Sequence, residues 1–345
     1  MDQQKVVISH NLEQSLSQAL AECTFDRLFV LVDETTERCC LPQLLSILNS
    51  SFSIISIGAT DQHKTLDTVS HVWSELQRMG ATRHSLMLNL GGGMVTDLGG
   101  FAASTFKRGI HYINIPTTLL SMVDASVGGK TGINFGGLKN EIGVFNNADC
   151  VILDTTFLKT LDQENILSGY AEMLKHGLID SEAHWAEILG NLDNLERLAT
   201  LVERSVAVKQ RIVTEDPTER GLRKALNLGH TAGHAFESLA LERTPILHGY
   251  AVAYGLVVEL YLSCVKTGFP TDKMRQTVQF IKEHYGRMAI TCDDYPHLLE
   301  LMHHDKKNEG SAINFTLLAG IGDLRINQTA TEEEIKEALD FYREN

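Results

Sequence analysis

The sequence predicts an α/β domain with a mostly parallel sheet, followed by a helical domain. Short apolar runs alternate with helical patterns in the first half of the chain, which is typical of a parallel sheet covered by helices. From about residue 162 the pattern changes to long helical periodicities. The length of 345 residues also exceeds what one ordinary core needs. We therefore predict domains at 1–161 and 162–345.

The predicted strands of the first domain are short apolar runs with helical periodicity between several of them. The strands are 29–32, 52–57, 85–90, 112–115 and 150–153, with helices across 64–79 and 94–107. In the second domain the helical segments are 163–178, 194–214, 222–241, 249–267 and 271–284. Apolar runs at 313–318 and 324–326 predict a hairpin around Gly320 and Gly322. Thr331 followed by Glu334 predicts a capped last helix.

Composition excludes several classes of function. The net charge is −14 without a basic stripe, which argues against nucleic acid as a partner. No apolar run approaches the roughly 20 residues of a membrane helix, and no signal peptide is visible. The 6 cysteines form no C-x-x-C pair, as expected of thiols in a reducing compartment. We therefore expect a cytoplasmic protein that does not bind membranes.

Three histidines suggest a metal site. His230 and His234 are four residues apart, which places them on one face of a helix, and His248 opens the next apolar helical run. A catalytic zinc takes three protein ligands and keeps one position open. The alternative is a helix with two solvated or capping histidines, and spacing alone leaves both interpretations open.

A glycine run follows one predicted strand. Gly91, Gly92 and Gly93 lie between the strand at 85–90 and a helix start, where backbone amides can approach a phosphate. The pattern is neither G-x-G-x-x-G nor a P-loop, and a tight turn without a ligand uses glycine too. The position after a strand favours a nucleotide cofactor, with Asp97 one turn into the helix.

The segment 115–134 is dense in small polar residues. Thr117 and Thr118 follow a strand end, where open α/β sheets bind ligands. Lys130 follows two glycines, and Lys139 and Asn140 come shortly after. Lysine suits a phosphate oxygen, so we favour ligand binding over a solvated loop.

Together these segments closely resemble the 3-dehydroquinate synthase family, NAD- and zinc-dependent sugar-phosphate cyclases. The resemblance runs from Gly91 to Gly320 and more loosely over the first ninety residues. It rests on the motifs GGGMVTDLGGF, IPTTLLSMVDASVGGKTGIN, GLKNEIGVF, GYAEMLKHGLI, EDPTERGLRKALNLGHTAGHAFE and HGYAVAYG. It implies a Rossmann-like N-terminal domain, an all-α C-terminal domain, an active site in the cleft between them and a homodimer.

The resemblance also implies roles for individual residues. The resemblance assigns a metal ion, zinc or cobalt, to Glu172, His230 and His248. Spacing alone does not show whether Glu172 or His176 is the third ligand. His234 is left for proton handling. Positions that act on or hold the sugar-phosphate substrate are Lys130, Lys175, Lys209, Arg223, Asn227, Asp124, Lys139, Asn140, Arg108, Lys306 and Lys307. Positions that contact NAD are Asp33, Asp61, Lys64, Gly92, Gly93, Asp97, Thr117, Thr118, Leu120, Lys130, Lys139, Phe157, Thr160 and Leu161.

The implied reaction converts the seven-carbon keto-acid phosphate DAHP into a carbocycle. An alcohol is oxidised by NAD, phosphate leaves by β-elimination, the ketone is reduced, and the opened enolate closes by aldol addition. Three places depart from the family pattern: Thr35 replaces an asparagine, Asp61 a glutamate, and Asn165 an acid. All three fall on the adenosine side or rim of the implied NAD site.

Three other functions stay open. A cyclase that makes an inosose or a valiolone shares most motifs, but alters polar residues that this chain keeps at Lys209, Arg223, Asn227 and His234. A glycerol dehydrogenase-type enzyme shares the fold and the metal–NAD pairing, but does not need the lysines at 130, 139, 175 and 209. A catalytically inactive scaffold that binds NAD would not require intact metal ligands.

Overall fold

The computed structural model describes residues 4–48, 50–136, 138–303 and 313–345. The chain divides into two compact units, Met1–Asp162 and Gln163–Asn345. The roles predicted for the two domains, cofactor binding in the first and metal and substrate binding in the second, stay predictions.

The first unit is built on a parallel sheet, as predicted. Its elements are β1 (Val6–Ile8), α1 (Leu12–Glu22), β2 (Leu28–Asp33), α2 (Glu34–Cys39), α3 (Leu41–Leu45), β3 (Phe52–Ile57), α4 (Leu66–Arg78), β4 (Leu86–Gly91), α5 (Gly93–Thr105), β5 (His111–Pro116), β6 (Lys130–Phe135), β7 (Leu138–Phe145) and β8 (Cys150–Leu153). Among the described residues the sheet order is β1-β8-β5-β4-β2-β3. The pairs in this sheet are parallel. Every residue of β2 and β4 is buried, which is why their sequences, apart from Asp33 and Asn89, are apolar rather than alternating.

The order of strands places a switch point between β2 and β4. From β2 the chain moves outward to β3, whereas from β4 it moves the other way to β5 and then β8. Ligands of open α/β sheets bind at the carboxyl ends of the strands beside such a point. Asp33 ends β2 and Gly91 ends β4, so both lie at this edge.

The segment after β5 contains a hairpin that we did not predict, and the ligand-binding role predicted for this segment stays a prediction. We predicted a polar ligand-binding stretch, and the structure pairs β6 with β7 in an antiparallel hairpin. Gly143 is required there, because a Cβ at this position would lie 2.1 Å from the carbonyl oxygen of Thr131. The pattern was missed because most residues of β7 are exposed, so its sequence carries little buried apolar alternation.

The second unit is mainly helical. Its elements are α6 (Gln163–Asp180), α7 (Glu182–Leu189), α8 (Leu195–Glu215), α9 (His230–Leu241), α10 (His248–Thr267), α11 (Thr271–Tyr285), α12 (Tyr295–His303), β9 (Asn314–Gly320), β10 (Asp323–Thr329) and α13 (Glu332–Glu344). The predicted hairpin is present as the antiparallel pair β9–β10. The predicted cap of the last helix is also present, since Thr331 and Glu334 form a capping box at the start of α13.

One predicted helix is wrong as a single element. The segment 222–241 contains a short 3₁₀ helix, Leu222–Asn227, and α9 begins only at His230. Between them Gly229 has φ +79°, a left-handed conformation that breaks helical periodicity and that glycine adopts readily. His230 therefore occupies the first turn of a helix and not its middle.

We expected no apolar run near the length of a membrane helix, but among the described residues helix α10 is such a run. By length and composition it would suffice to cross a membrane, with a mean hydropathy of 1.2. However, 72% of its most apolar window is buried inside the protein, as in the core helix of a globular unit.

Candidate active site

The glycine turn after β4 and the threonine pair after β5 are neighbours in the first unit. The amide of Thr117 donates to the carbonyl of Gly91 at 2.9 Å. A Cβ on Gly92 would lie 3.1 Å from Cγ2 of Thr118, so glycine lets the two turns approach. Helix α5 starts at Gly93, and its first amides lie at this edge of the sheet.

Cys40 connects Thr117 with another predicted cofactor residue. Burial raises the pKa of the Cys40 thiol to about 11, whereas the neighbouring side chains of Thr117 and Thr160 act to lower it. Thr160 ends a 3₁₀ helix in which Phe157 is buried. Leu161 caps that helix, and Leu120 precedes the short π-helix Ser121–Ala125. The structure thus brings two of the predicted threonines together around one buried thiol.

A polar network joins five predicted positions of the first unit. Nζ of Lys64 lies 2.6 Å from Oδ2 of Asp97 and 2.5 Å from Oδ1 of Asn140. Lys139 Nζ lies 3.6 Å from the carboxylate of Asp61. The link between these two groups is Asn134, which donates to Asp61 at 3.1 Å and accepts from the amide of Asn140 at 3.0 Å. Asn134 was not among the predicted site residues.

The other predicted residues of this unit lie in different settings. The Asp33 carboxylate caps α2 by accepting from the amides of Thr35 and Thr36. Asp124 is half-buried within the π-helix, and Lys130 is exposed at the first residue of β6. Arg108 is exposed and adopts a left-handed φ of +71°.

In the second unit a close contact between helices places Glu172 beside His248. A Cβ on Gly249 would lie 1.9 Å from the carbonyl oxygen of Ser168, so only glycine permits this packing of α10 on α6. The Gly249 amide also donates to Oγ of Ser168 at 3.1 Å. Glu172 follows Ser168 by one helical turn, and His248 directly precedes Gly249. The two side chains therefore meet.

A second close contact places His230. A Cβ on Gly255 of α10 would lie 2.0 Å from the carbonyl oxygen of Gly229 and 2.9 Å from Cα of Gly233. The start of α9 is thus pressed against the middle of α10. Together the two contacts bring α6, α9 and α10 to one point.

Glu172, His230 and His248 converge at that point. Glu172 is completely buried, and its Oε1 lies 3.3 Å from Nε2 of His230 and 3.5 Å from Nε2 of His248. One ligand atom from each of the three residues lies within 4.8 Å of the others. Two imidazoles and one carboxylate are a donor set that suits a catalytic zinc.

The partners of the other ring nitrogens support a cation at this point. Nδ1 of His230 lies 3.1 Å from the carbonyl oxygen of Leu228, and Nδ1 of His248 lies 3.2 Å from Oε2 of Glu237. A proton on each Nδ1 satisfies these acceptors and leaves both Nε2 lone pairs directed at the Glu172 carboxylate. Lone pairs and a carboxylate repel one another unless a cation or proton lies between them, so the residues fit a divalent metal ion.

Neighbouring charged side chains shift the pKa values of His248 and Glu172. Burial acts to lower the pKa of His248, but the carboxylates of Glu237 and Glu172 outweigh burial and raise it to about 10. Burial acts to raise the pKa of Glu172, but Lys175 and His230 hold it well below its ordinary value. The two carboxylates thus favour positive charge on His248, and the neighbouring basic side chains favour the ionised form of Glu172.

His234 lies beside Glu172, His230 and His248 but does not belong to that group of three. Its ring centroid is 5.4 Å from that of His230 and 6.0 Å from that of His248. One turn of α9 separates it from His230, as the spacing of four predicts. A ligand atom of His234 also groups with His248 and Glu237.

Three predicted basic residues in the described part of the second unit are buried. Lys175 forms an ion pair with Glu172 and is 1% exposed, Lys209 is 6% exposed and Arg223 is 2% exposed. Buried cations of this kind carry a high desolvation cost, which is accepted where a ligand needs their charge.

The loop before α9 orders two further predicted residues. Arg223 donates to the carbonyl of Pro217 at 2.6 Å, and Nδ2 of Asn227 donates to Oε1 of Glu219 at 2.8 Å. Glu219 was not predicted, and its left-handed φ of +61° is not visible from residue type. The predicted Lys306 and Lys307 lie outside the described residues.

The fold and these two groups of residues define a class of protein. A parallel α/β unit followed by a helical unit is shared with NAD-linked sugar-phosphate cyclases and, more distantly, with metal-dependent alcohol dehydrogenases. A solved 2-epi-5-epi-valiolone synthase from Streptomyces hygroscopicus subsp. jinggangensis, with NAD+ and Zn2+ bound, has a TM-score of 0.86 and 27% identity, covering 99% of this chain and 97% of that one. A 2-deoxy-scyllo-inosose synthase complexed with carbaglucose-6-phosphate, NAD+ and Co2+ has a TM-score of 0.83 at 21% identity, covering 99% and 96% of the two chains.

Comparison with known sequences identifies the family within this class of protein. The family models described as 3-dehydroquinate synthase N-terminal and C-terminal match residues 54–168 and 169–308. A 3-dehydroquinate synthase from Parabacteroides distasonis is 55% identical over 350 residues, covering 100% of this chain and 99% of the relative. One from Pyrococcus furiosus is 39% identical over 316 residues, covering 91% and 92%. The chain belongs to the 3-dehydroquinate synthase family.

Proposed function

We propose that this protein is a 3-dehydroquinate synthase, converting 3-deoxy-D-arabino-heptulosonate 7-phosphate (DAHP) into 3-dehydroquinate and phosphate. The observation that carries the proposal is the convergence of Glu172, His230 and His248 in a chain that is 55% identical to a 3-dehydroquinate synthase over its whole length. NAD and a divalent cation, when bound, supply reversible oxidation of a substrate alcohol and polarisation of its oxygen.

We assign the cation to Glu172, His230 and His248, with either Zn2+ or Co2+ as a suitable ion. His234 remains available to accept or donate a proton at an imidazole nitrogen, at a ring distance of 5.4 Å from His230. Lys175, Lys209 and Arg223 supply buried positive charge that offsets the carboxylate and phosphate of the substrate. Asn227 and the loop from Asp216 to Arg223 orient these groups.

In the first unit we assign NAD to the edge of the sheet where β2, β4 and β5 end. Gly92 and Gly93 permit the pyrophosphate to approach the N-terminus of α5, and Thr117 and Thr118 lie beside them. The network of Lys64, Asp97 and Asn140 offers hydroxyl and phosphate partners next to the same edge. Asp124, Lys130, Lys139 and Arg108 are assigned to the substrate phosphate and hydroxyls, with Lys130 and Lys139 also bordering the cofactor.

Relatives with other activities are more distant. The valiolone synthase is 27% identical to this chain, and a glycerol dehydrogenase from Schizosaccharomyces pombe is 15% identical with a TM-score of 0.69, a likeness of fold alone. A glycerol dehydrogenase has no need of Lys130, Lys139, Lys175 and Lys209. These residues favour a doubly anionic substrate, so they favour the synthase.

An assay of the full chain separates these activities. The protein is incubated with NAD, Zn2+ and DAHP, and inorganic phosphate and NADH are followed together. We expect phosphate release with no net accumulation of NADH, because the oxidation is reversed within the cycle. Oxidation of glycerol with NADH accumulation, and no phosphate from DAHP, would contradict the synthase and support the dehydrogenase.

We further propose that the protein acts as a homodimer in the cytoplasm. Both proposals rest on family likeness. Sedimentation of the purified chain tests the dimer, with a species of about twice 38.2 kDa expected.

A further inference from the structure

Glu259 is a buried carboxylate at the start of α9. It lies on α10 and is 0% exposed. Its Oε2 accepts from the amide of Gly229 at 2.6 Å, and its Oε1 accepts from the amides of Thr231 and Ala232 at 2.9 and 3.1 Å. Helix α9 has no capping side chain of its own, because its N-cap is Gly229. Glu259 supplies that cap from another helix.

The backbone amides that donate hydrogen bonds to the Glu259 carboxylate lie on both sides of His230. Gly229 precedes this residue and Thr231 follows it, so the carboxylate determines the backbone position from which the imidazole projects. The close packing of Gly255 against Gly229 and Gly233 brings α9 near enough for this contact, one turn before Glu259 on the same face of α10. The hydrogen bond from Nδ1 of His230 to the Leu228 carbonyl then sets the ring.

The position also has an electrostatic consequence. The N-terminus of a helix carries a partial positive charge of about half a unit, which disfavours a nearby cation. His230 is the first residue of α9, so a metal ion on its Nε2 lies close to that positive end. A carboxylate on the same amides offsets the unfavourable interaction. Burying a carboxylate without partners costs free energy, and the hydrogen bonds from three amides offset that cost for Glu259.

We propose that Glu259 is a positioning residue of the metal centre, which holds His230 in its ligating geometry and raises affinity for the divalent cation. The inference rests on the proposed metal site and goes beyond it, because, among the described residues, Glu259 belongs to none of the groups of side chains that could hold a metal ion.

The test measures zinc affinity directly, by competition with a chromophoric chelator, in the full-length protein. Glu259→Gln removes the charge and turns one acceptor into a donor. We expect about a 10–100-fold loss of Zn2+ affinity, the range found when an outer partner of a metal ligand is lost. A weakened or altered Co2+ absorption spectrum is expected in the same variant. Glu259→Asp keeps the charge with a shorter reach, and a smaller loss is expected.

The matched control is Ser263→Ala. Ser263 lies one turn further along α10, is fully buried and hydrogen bonds to the Glu259 carbonyl and the Leu318 amide, away from the first amides of α9. Its variant should lose stability but keep wild-type zinc affinity. Equal zinc affinity in Glu259→Gln and wild type, or an equal loss in Ser263→Ala, would overturn the proposal. Failure of both Glu259 variants to fold would assign the residue to stability alone and overturn it too. If the wild-type protein binds no zinc, the proposed function itself fails.

Discussion

Nδ1 of His248 lies 3.2 Å from Oε2 of Glu237, one of two buried carboxylates between which this imidazole lies. The other is Glu172, which faces Nε2 of the same ring at 3.5 Å. A carboxylate behind a ligating histidine fixes the tautomer and makes the ligating nitrogen a stronger donor. If the proposed cation binds at His248, Glu237 would complete a carboxylate–histidine–metal arrangement.

The first prediction concerns Glu237. Glu237→Gln should weaken Zn2+ binding by about 10–100-fold, because the amide is uncharged and accepts the imidazole proton less strongly. Chelator competition measures the affinity, and thermal unfolding of the metal-free protein checks the fold. Glu242→Gln is the control, since Glu242 follows the same helix and pairs with the half-exposed His297. Unchanged affinity in the Glu237 variant would remove this residue from the metal centre.

The second prediction concerns the contact between α6 and α10. Gly249→Ala places a methyl group against the Ser168 carbonyl, where a Cβ would be only 1.9 Å away. We expect a loss of about 2–3 kcal/mol in the free energy of unfolding and weaker Co2+ binding, because the helices must separate. Urea denaturation and cobalt titration measure the two effects.

Gly320→Ala is the control for this substitution. A Cβ there meets its nearest atom only at 3.8 Å, so stability and cobalt binding should change little. Equal behaviour of the two variants would show that the close helix contact does not position His248.

The third prediction separates the role of Lys175 from metal binding. Lys175→Met should retain one zinc per chain while turnover of DAHP falls by about 100-fold, because the buried positive charge that we assign to the substrate is lost. Metal analysis and phosphate release are measured on the same preparation. Lys266→Met, which breaks a surface pair with Glu334, should leave both unchanged. Loss of zinc from the Lys175 variant would instead make this lysine part of the metal centre.

The fourth prediction concerns stability against pH. Burial acts to raise the pKa of Asp216, but the amides of Gly221, Arg220 and Arg223 offset it and hold the pKa below its ordinary value. A carboxyl whose pKa is depressed on folding stabilises the protein above its unfolded pKa of about 3.9 and loses this contribution as pH falls through the folded value.

Asp216→Asn should therefore lower the free energy of unfolding by about 1 kcal/mol at pH 7, and the difference should shrink below about pH 4. Denaturant titrations from pH 3 to 7 measure it. If the difference in the free energy of unfolding between wild type and the Asp216 variant persisted at pH 3, it would contradict a stabilising role for the ionised Asp216 carboxylate.

Much of the fold follows from residue patterns, and the exceptions have physical causes. The strands predicted at 52–57 and 150–153 agree with β3 and β8. β8 is buried throughout and continuously apolar, as is typical of a parallel strand covered on both faces. The helix predicted across 222–241 was wrong, since a glycine inside a helical pattern does not reveal its left-handed φ. The β6–β7 hairpin was missed because its outer strand is exposed.

The candidate site was partly visible in the sequence. Spacing related His230 to His234 but did not separate Glu172 from His176, because both lie on the same buried helix, one turn apart. Only the contacts through Gly249 and Gly255 show which side chains converge. Glu237 and Glu259 could not be predicted, because a single glutamate in a helical pattern does not show that it is buried. Their roles follow only from the groups that they contact in the structure.

The central claim, a cation held by Glu172, His230 and His248 in a synthase, is tested most directly by measuring bound zinc and phosphate release from DAHP together. The wild-type protein, stripped of metal and titrated with Zn2+ in the presence of NAD, should gain phosphate release in proportion to zinc up to one ion per chain. His230→Ala should lose both zinc and turnover. Full turnover by His230→Ala, or wild-type turnover that does not follow bound zinc, would contradict the claim.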